Sequence, residues 1–374
     1  MIDVMGVILT SKSDFALREL TSRRSVTALP VASRYRMVDF MLSNLVNSGV
    51  RNVGVIAQGN YHSLMDHIEG GKEWDLHTRN NGLFMLPPLN AGTYEGAVDA
   101  LKANFDYLRR SRQKEVLLVG GRYFYSTTYD EMFAKHEESG ADITVLNTKY
   151  DPQTYDYTNS SDNDRSFISV GVNGIVNDIQ IDPNVVTMPN VLMDCILIKR
   201  TLLIQLIDAA ASRGQHHINK DILRQIIKDQ NMKVVGCEYT GYCRRIETIK
   251  SYFNMNMDLL KKEVRKEVLE SNPVYTKTRD DAPALYLPGS SVKNSLVADG
   301  CIIEGSIENC VIFRGVKIGK GSVIKNAIIM QDTVIGHKCE LEHVILDKDV
   351  TVMNEDRLIG NKQYPIVIGK GVTL

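Results

Sequence analysis

The chain predicts an α/β domain built on a mostly parallel sheet, followed by a left-handed parallel β-helix of hexapeptide repeats. Three observations lead there. Short apolar runs alternate with helical patterns to about residue 260, and such alternation calls for parallel strands with helices on both faces. An irregular stretch carrying Pro273, Pro283 and Pro288 then interrupts every pattern. Beyond it the chain divides into pieces of five or six residues, each with an apolar residue near its start and a turn residue near its end. That is the mark of a stacked solenoid. The expected units are residues 1–260 (α/β domain), 261–290 (helical, proline-containing linker) and 291–374 (β-helix).

Within the first unit, VMGVIL (4–9), VRNVGVIA (50–57), EVLLVGG (115–121) and DITVLNT (142–148) are expected strands. A helix begins near Met37, because Val38, Met41, Leu42 and Leu45 share one face, and Asn47, Ser48 and Gly49 stop it. Further helices are expected over 98–110 and 129–139, an exposed polar loop over 150–166, and one continuous amphipathic helix over 254–271. Ligands on such sheets sit at the carboxyl ends of strands, so the loops after Leu9, Val119 and Asp178 are the expected site. In the repeats, running from SLVADG and CIIEG to VILDKD, no short strand can bury its own apolar face, so coils must stack. Small residues such as Cys301, Ser306, Ser322, Ala327 and Cys339 suit the corners. A β-sandwich would need longer strands.

Composition narrows the function classes. The 374 residues carry a net charge of −1, which gives no overall basic field for nucleic acid or membrane. The opening MIDVMGVILTS is short and holds Asp3, so it is expected to be a first strand and not a membrane or export segment. None of the six cysteines forms a C-x-x-C pair, which suggests neither a disulfide framework nor a zinc site and favours a cytoplasmic, reduced protein.

The stretch from Leu20 to Ile56 contains the words R-Y-R, V-D-F, L-S-N and N-S-G-V-R-N-V-G-V. These resemble the opening of ADP-glucose pyrophosphorylases, the glucose-1-phosphate adenylyltransferases, and the resemblance runs along nearly the whole chain. It implies a nucleotidyltransferase domain of GT-A-like, Rossmann-type architecture ahead of the β-helix. It also implies a reaction in which glucose 1-phosphate attacks the α-phosphate of ATP. That chemistry needs backbone N–H groups around phosphates, a divalent cation held by carboxylates, and cations on both substrates.

Measured against that resemblance, the requirements fail in place. The family's L-A-G-G-x-G-x-R-L is here LTSKSDFAL, with Ser11, Lys12 and Asp14 for the three glycines and Ala16 for the arginine. Val26 stands for the lysine of R-A-K-P-A-V-P. The two metal aspartates, in S-G-D-H and G-Y-W-R-D-V-G-T-I, become Arg122 in GGRY and Arg245 in GYCRRIETI. Asp182 falls at the lysine of E-E-K-P. Arginine cannot ligate a hard cation. The chain therefore resembles the GlgD-type subunit of bacterial ADP-glucose pyrophosphorylase, which implies a regulatory, catalytically inactive protein of glycogen biosynthesis. It implies no metal or cofactor of its own, magnesium belonging to the catalytic partner, and a heterotetramer with that partner. A residually active adenylyltransferase is the alternative reading. A hexapeptide acyltransferase, with His337 or His343 as base, leaves the α/β domain unexplained.

Two expectations concern the remaining charges. Arg122 and Arg245 either pair with Asp14 and Asp182 across the former site or bind an anion without metal. In the family, anionic effectors such as a sugar phosphate, AMP or phosphate bind near the first-domain basic loop and the β-helix. The corresponding candidates are Arg24, Arg34, Arg36, Arg51 and His62 from the first domain and Arg314 from the repeats. His67, His77, His216 and His217 form no metal-binding pattern. Trp74, in GGKEWDLH, is expected in a loop, as a cover for the nucleotide side or a surface anchor.

Overall fold

The computed structural model describes residues 3–11, 15–78, 81–88, 94–152 and 165–374. Strand β1 (Val4–Leu9) lies inside a nine-stranded sheet, and its residues alternate sides. Val4 and Ile8 join one apolar cluster while Met5 and Val7 join the other, so both faces are covered. The other strands are β2 (Val53–Ile56), β3 (Leu83–Leu86), β4 (Glu115–Gly120), β5 (Ile143–Lys149), β6 (Ser166–Val170), β7 (Val176–Ile181), β8 (Asn190–Lys199) and β9 (Val234–Glu238). The order β7-β6-β8-β4-β1-β2-β3, with β5 between β8 and β9, makes a mixed sheet. Around β1 the neighbours are parallel. Strand β8 is antiparallel to β4, β5 and β6 and carries a bulge between Leu192 and Ile196.

Helix α1 (Met37–Asn47) starts where its pattern places it. The Asp39 carboxylate accepts from the Arg36 backbone N–H at 2.9 Å, and Gly49 closes the end with φ 78°. Other elements depart from expectation. The helix expected over 98–110 is two, Ala97–Ala103 and Phe105–Arg110, because the Asn104 amide bonds back to Ala100 O at 2.8 Å and breaks the ladder. The single helix expected over 254–271 is also divided. Ile249–Asp258 starts at a Thr248 capping box and ends where Asp258 is held by Tyr242, Arg244 and Lys261. A second stretch resumes at Lys262–Arg265 and widens into a π turn over Lys266–Glu270. Most of the polar loop expected over 150–166 lies outside the described residues. Trp74 is not on a loop surface: it is 2 % exposed, packed in the core beside α1 with its ring edge-on to His67.

The repeats form three parallel five-stranded sheets, consistent with the left-handed β-helix. Ile303, Ile318, Ile335 and Val352 stack in one inward row, 15 to 17 residues apart. At one corner Asn294, Asn309, Asn326 and His343 stack in the left-handed region, which asparagine tolerates well. The Asn294 amide donates to Asn309, and Asn309 to Asn326.

The third sheet (Leu296–Val297, Val311–Ile312, Ile328–Ile329, Val344–Leu346, Ile366–Ile368) is buried on both sides in its three central strands and partly buried at its two ends. Ile312, Ile329 and Leu346 point into the solenoid; Val311, Ile328 and Ile345 belong to the apolar cluster of the α/β domain. A buried ion pair fixes the docking: Arg24 Nη2 lies 2.8 Å from both oxygens of Asp347. The intervening segment is stapled to α1, with Tyr275 N donating to Ser43 Oγ, Asn47 to Pro273 O, and Thr276 Oγ1 to Asp39 at 2.6 Å. Among the described residues no helix is long and apolar enough to cross a membrane.

Removing one partner of a desolvated pair leaves the other charge uncompensated, at a cost of about 3–5 kcal/mol. Arg24→Met is therefore expected to lower unfolding free energy by about that amount in urea denaturation, and the double replacement Arg24→Met with Asp347→Leu to recover most of it.

Candidate functional site

Two concavities gather the charged residues. The first is a cleft of about 380 Å³ at the carboxyl ends of β1 and β4, lined by Ser11, Glu95, Arg122, Asp194, Lys220 and Arg245 among others. The loops after Leu9 and Val119 are thus where the sheet rule places them; that after Asp178 is not, since β7 is an edge strand and the cleft instead receives the β8 bulge and residues 217–220. A close approach builds the floor. A Cβ on Gly121 would sit 2.5 Å from Thr27 Oγ1 and 3.1 Å from Leu9 O, so only glycine lets the two loops meet.

Immediately beyond Gly121, Tyr123–Phe124 pairs antiparallel with Arg244–Arg245, and Ile246 N donates to Arg122 O. This two-stranded ribbon brings Arg122 and Arg245 to one wall. Arg245 is buried, 2.9 Å through Nε from Glu247 Oε1, with its guanidinium over the Tyr123 ring at 5.5 Å. Burial pushes the Tyr123 hydroxyl well above its usual range, so it stays neutral. The described carboxylate partner of Arg245 is therefore Glu247, two residues on, and not Asp182. Asp182 meets Arg165 at 3.7 Å, which also approaches Glu247 at 3.9 Å. Lys12 and Asp14 lie outside the described residues. Ala16 is half-buried, and Val26 is fully buried in the core.

Sequence reasoning passed over Asp194. It sits in the β8 bulge with φ 51°, an unusual conformation for a non-glycine residue in a strand, and accepts from the Asn219 amide at 3.1 Å. Glu95 was also missed; it meets His216, which Asp99 holds from the other side. No spacing rule singles out either residue. Among the described residues no group of three His, Cys, Asp or Glu is placed to hold a metal ion.

The second concavity, about 240 Å³, lies where the basic loop, the linker and the β-helix meet. Pro30–Val31 and Tyr35–Arg36 form a short antiparallel ribbon whose turn residues, Ala32 and Ser33, both have positive φ. Such strain costs on the order of 1–3 kcal/mol per residue and persists only where neighbours impose it. Here Tyr252 donates to Pro30 O at 2.6 Å, and Asn256 accepts from Ala32 N. The turn presents Arg34 and Arg36 to the pocket, opposite Arg314 and Lys348 of the solenoid and beside Lys277 and Arg279 of the linker. Arg36 also donates to Ser63 O and Oγ. Burial lowers the Arg36 guanidinium to about 10, and burial together with Arg34 lowers that of Arg314. His67 lines the same wall, bonded to the fully buried Asp39 at 2.6 Å.

Of the six cationic candidates, the structure unites Arg34, Arg36 and Arg314 here. Arg24 is instead committed to Asp347. Arg51 is exposed at the start of β2, and His62 is exposed and stacked on Tyr61; neither lines the pocket. Lys277, Arg279 and Lys348 were missed, because linker and turn cations look like ordinary solvated charge in a sequence.

A cleft at the strand ends of an α/β sheet, joined to a hexapeptide solenoid, defines a nucleotidyltransferase-type protein. Residues 5–262 match the nucleotidyl transferase family, and residues 288–364 match the GlmU-like C-terminal hexapeptide family. The chain belongs to the nucleotidyl transferase family and, within it, to the family of glycogen biosynthesis protein GlgD. It is 33 % identical to the GlgD protein of Bacillus subtilis over 99 % of this chain and 96 % of that one. Identity is 35 % to the GlgD protein of Geobacillus stearothermophilus, over 98 % and 96 %. A glucose-1-phosphate adenylyltransferase of Clostridium perfringens is 28 % identical, over 89 % and 86 %.

Two substitutions test this geometry. Glu247→Gln removes the described countercharge of buried Arg245 and is expected to cost about 3 kcal/mol in urea denaturation. Asp39→Ala frees the linker staple and strips His67 and the α1 cap of their acceptor. Limited proteolysis should then cut within residues 272–284, faster by a factor of about 10 or more than in the parent, for about 2 kcal/mol of lost local stability.

Proposed function

We propose that this chain is a regulatory, catalytically inactive subunit of ADP-glucose pyrophosphorylase, the enzyme that converts ATP and glucose 1-phosphate to ADP-glucose and pyrophosphate in glycogen biosynthesis. It works in the cytoplasm, in a heterotetramer with the catalytic subunit. The observation that carries this reading is the pair Arg122 and Arg245 lining the strand-end cleft, where the family resemblance calls for the two metal-binding aspartates. Guanidiniums in that place repel a divalent cation and offer it no oxygen. Loss of a well-placed electrostatic contact costs about 3 kcal/mol of barrier, roughly two orders of magnitude in rate, and here several contacts are changed together. The relatives named GlgD and glucose-1-phosphate adenylyltransferase support the pathway assignment.

Regulation enters, on this reading, through the pocket of Arg34, Arg36 and Arg314. An anionic effector such as a sugar phosphate, AMP or phosphate bound there would bridge the α/β domain and the β-helix. A second reading, a residually active adenylyltransferase, draws on one observation: Glu95 and Asp194 place carboxylates in the same cleft.

ADP-glucose formation by this chain, by the catalytic subunit, and by the two co-purified, at saturating magnesium, ATP and glucose 1-phosphate, separates the readings. The expected result is no rate from this chain, with an altered rate or substrate affinity in the mixture. A magnesium-dependent rate from this chain would favour the second reading. Replacing Arg36 and Arg314 together by Ala is expected to weaken the effector response of the mixture by about tenfold or more, since charge-assisted contacts contribute about 1.5–3 kcal/mol each.

A further inference from the structure

Two lysines line the junction pocket: Lys277 is engaged with Glu69, and Lys348 is not paired with an acid among the described residues. Lys348 sits at a solenoid turn, half-buried in the pocket wall. The acid next to it, Asp347, is already spent. Its two oxygens take Arg24 at 2.8 Å each, and Oδ1 also accepts the Lys348 backbone N–H at 2.7 Å. Among the described residues the Lys348 ammonium forms no ion pair.

The charges around it come from four elements. The basic loop contributes Arg24, Arg34 and Arg36. Residues 62–68 contribute exposed Asp66, which faces Arg36, and His67, which is held by Asp39. The linker contributes Lys277, engaged with Glu69, and Arg279. The solenoid contributes Arg314, Asp347 and the Lys370–Asp349 pair. Cations outnumber uncommitted acids, and burial adds to their repulsion. Burial first, then Arg36 and Arg24, hold the amine down to about 7. The guanidiniums cannot yield a proton, so the amine is the group that does.

Resting on the effector-pocket reading above, we propose that a doubly charged anion entering this pocket takes up one proton on Lys348, making the site a joint sensor of anion and pH. The neutral amine gains a proton from solvent and becomes an ammonium that donates to the anion. The sign follows from linkage. Below pH 7 the ammonium is present before binding, and no proton is needed. Above pH 7 the empty site is neutral at Lys348 while the occupied one is charged, so binding carries a proton and weakens as pH rises.

Sulfate is the probe, because it does not itself titrate near neutrality. Calorimetric titration of the full chain at constant ionic strength, in two buffers of different ionisation enthalpy, reads both affinity and proton uptake. The expected result is affinity about twentyfold weaker at pH 8.5 than at pH 6.5, with uptake approaching one proton at pH 8. Lys348→Arg keeps the charge but cannot titrate; it should bind sulfate with the pH dependence and the proton uptake removed. Sulfate binding without proton uptake at pH 8, or uptake that survives Lys348→Arg, overturns the proposal and leaves the pocket reading intact. Sulfate affinity unchanged in the variant with Arg36 and Arg314 both replaced by Ala overturns the pocket reading, and the proposal with it.

Discussion

A short β-helix of this kind has three outer faces, and in this protein one of them is not outer at all. The third sheet turns Val311, Ile328 and Ile345 into the apolar cluster that also holds α1. At the edge of that buried face the Arg24–Asp347 pair places two desolvated charges against each other. The junction pocket lies beside that seam. The strained turn at Ala32 and Ser33 and the linker stapled to α1 are held from within the α/β domain, and the pocket between them closes only where the solenoid docks to bring Arg314 and Lys348 opposite. Arg24 shows the consequence for interpretation: a basic residue near a binding pocket is spent on assembly.

The two concavities share an electrostatic character but not a use. In the cleft, Arg245 is buried against Glu247 and Tyr123, so part of the positive charge has become structural. In the junction pocket, most of the cations face an open volume, and the buried acids beside it, Asp39 and Asp347, are both occupied. An anion therefore gains more from entering the second than the first. This difference is the physical content of the regulatory reading. The strand-end cleft has part of its positive charge tied up in the Arg245–Glu247 pair, and the junction pocket has Arg34, Arg36 and Arg314 along its lining.

Legibility from sequence followed locality. The apolar run of β1, the face of α1 and the five- to six-residue period of the solenoid are short-range patterns, and each appears where it was expected. The breaks within 98–110 and 254–271 were missed because one asparagine side chain, and a cluster of contacts on Asp258, decide them. The antiparallel half of the sheet was equally hidden, since β8 reads as an ordinary buried strand whichever way it runs. Trp74 was misplaced for a related reason: its neighbours in sequence are polar, its neighbours in space are α1 and His67.

By itself, then, the sequence determined the periodicities, and through them the kind of fold and the family, together with the chemical identity of the residues at the strand ends. Those properties are written in spacing and side-chain type. Only the tertiary structure decided which charges are free to act. Arg24 and Arg34 are ten residues apart and chemically alike, yet one is locked to Asp347, 323 residues away, and the other faces the pocket. Lys348 takes its character from arginines more than 300 residues distant in the chain. Electrostatic energy depends on separation and burial in space, and neither quantity is a function of position along the chain.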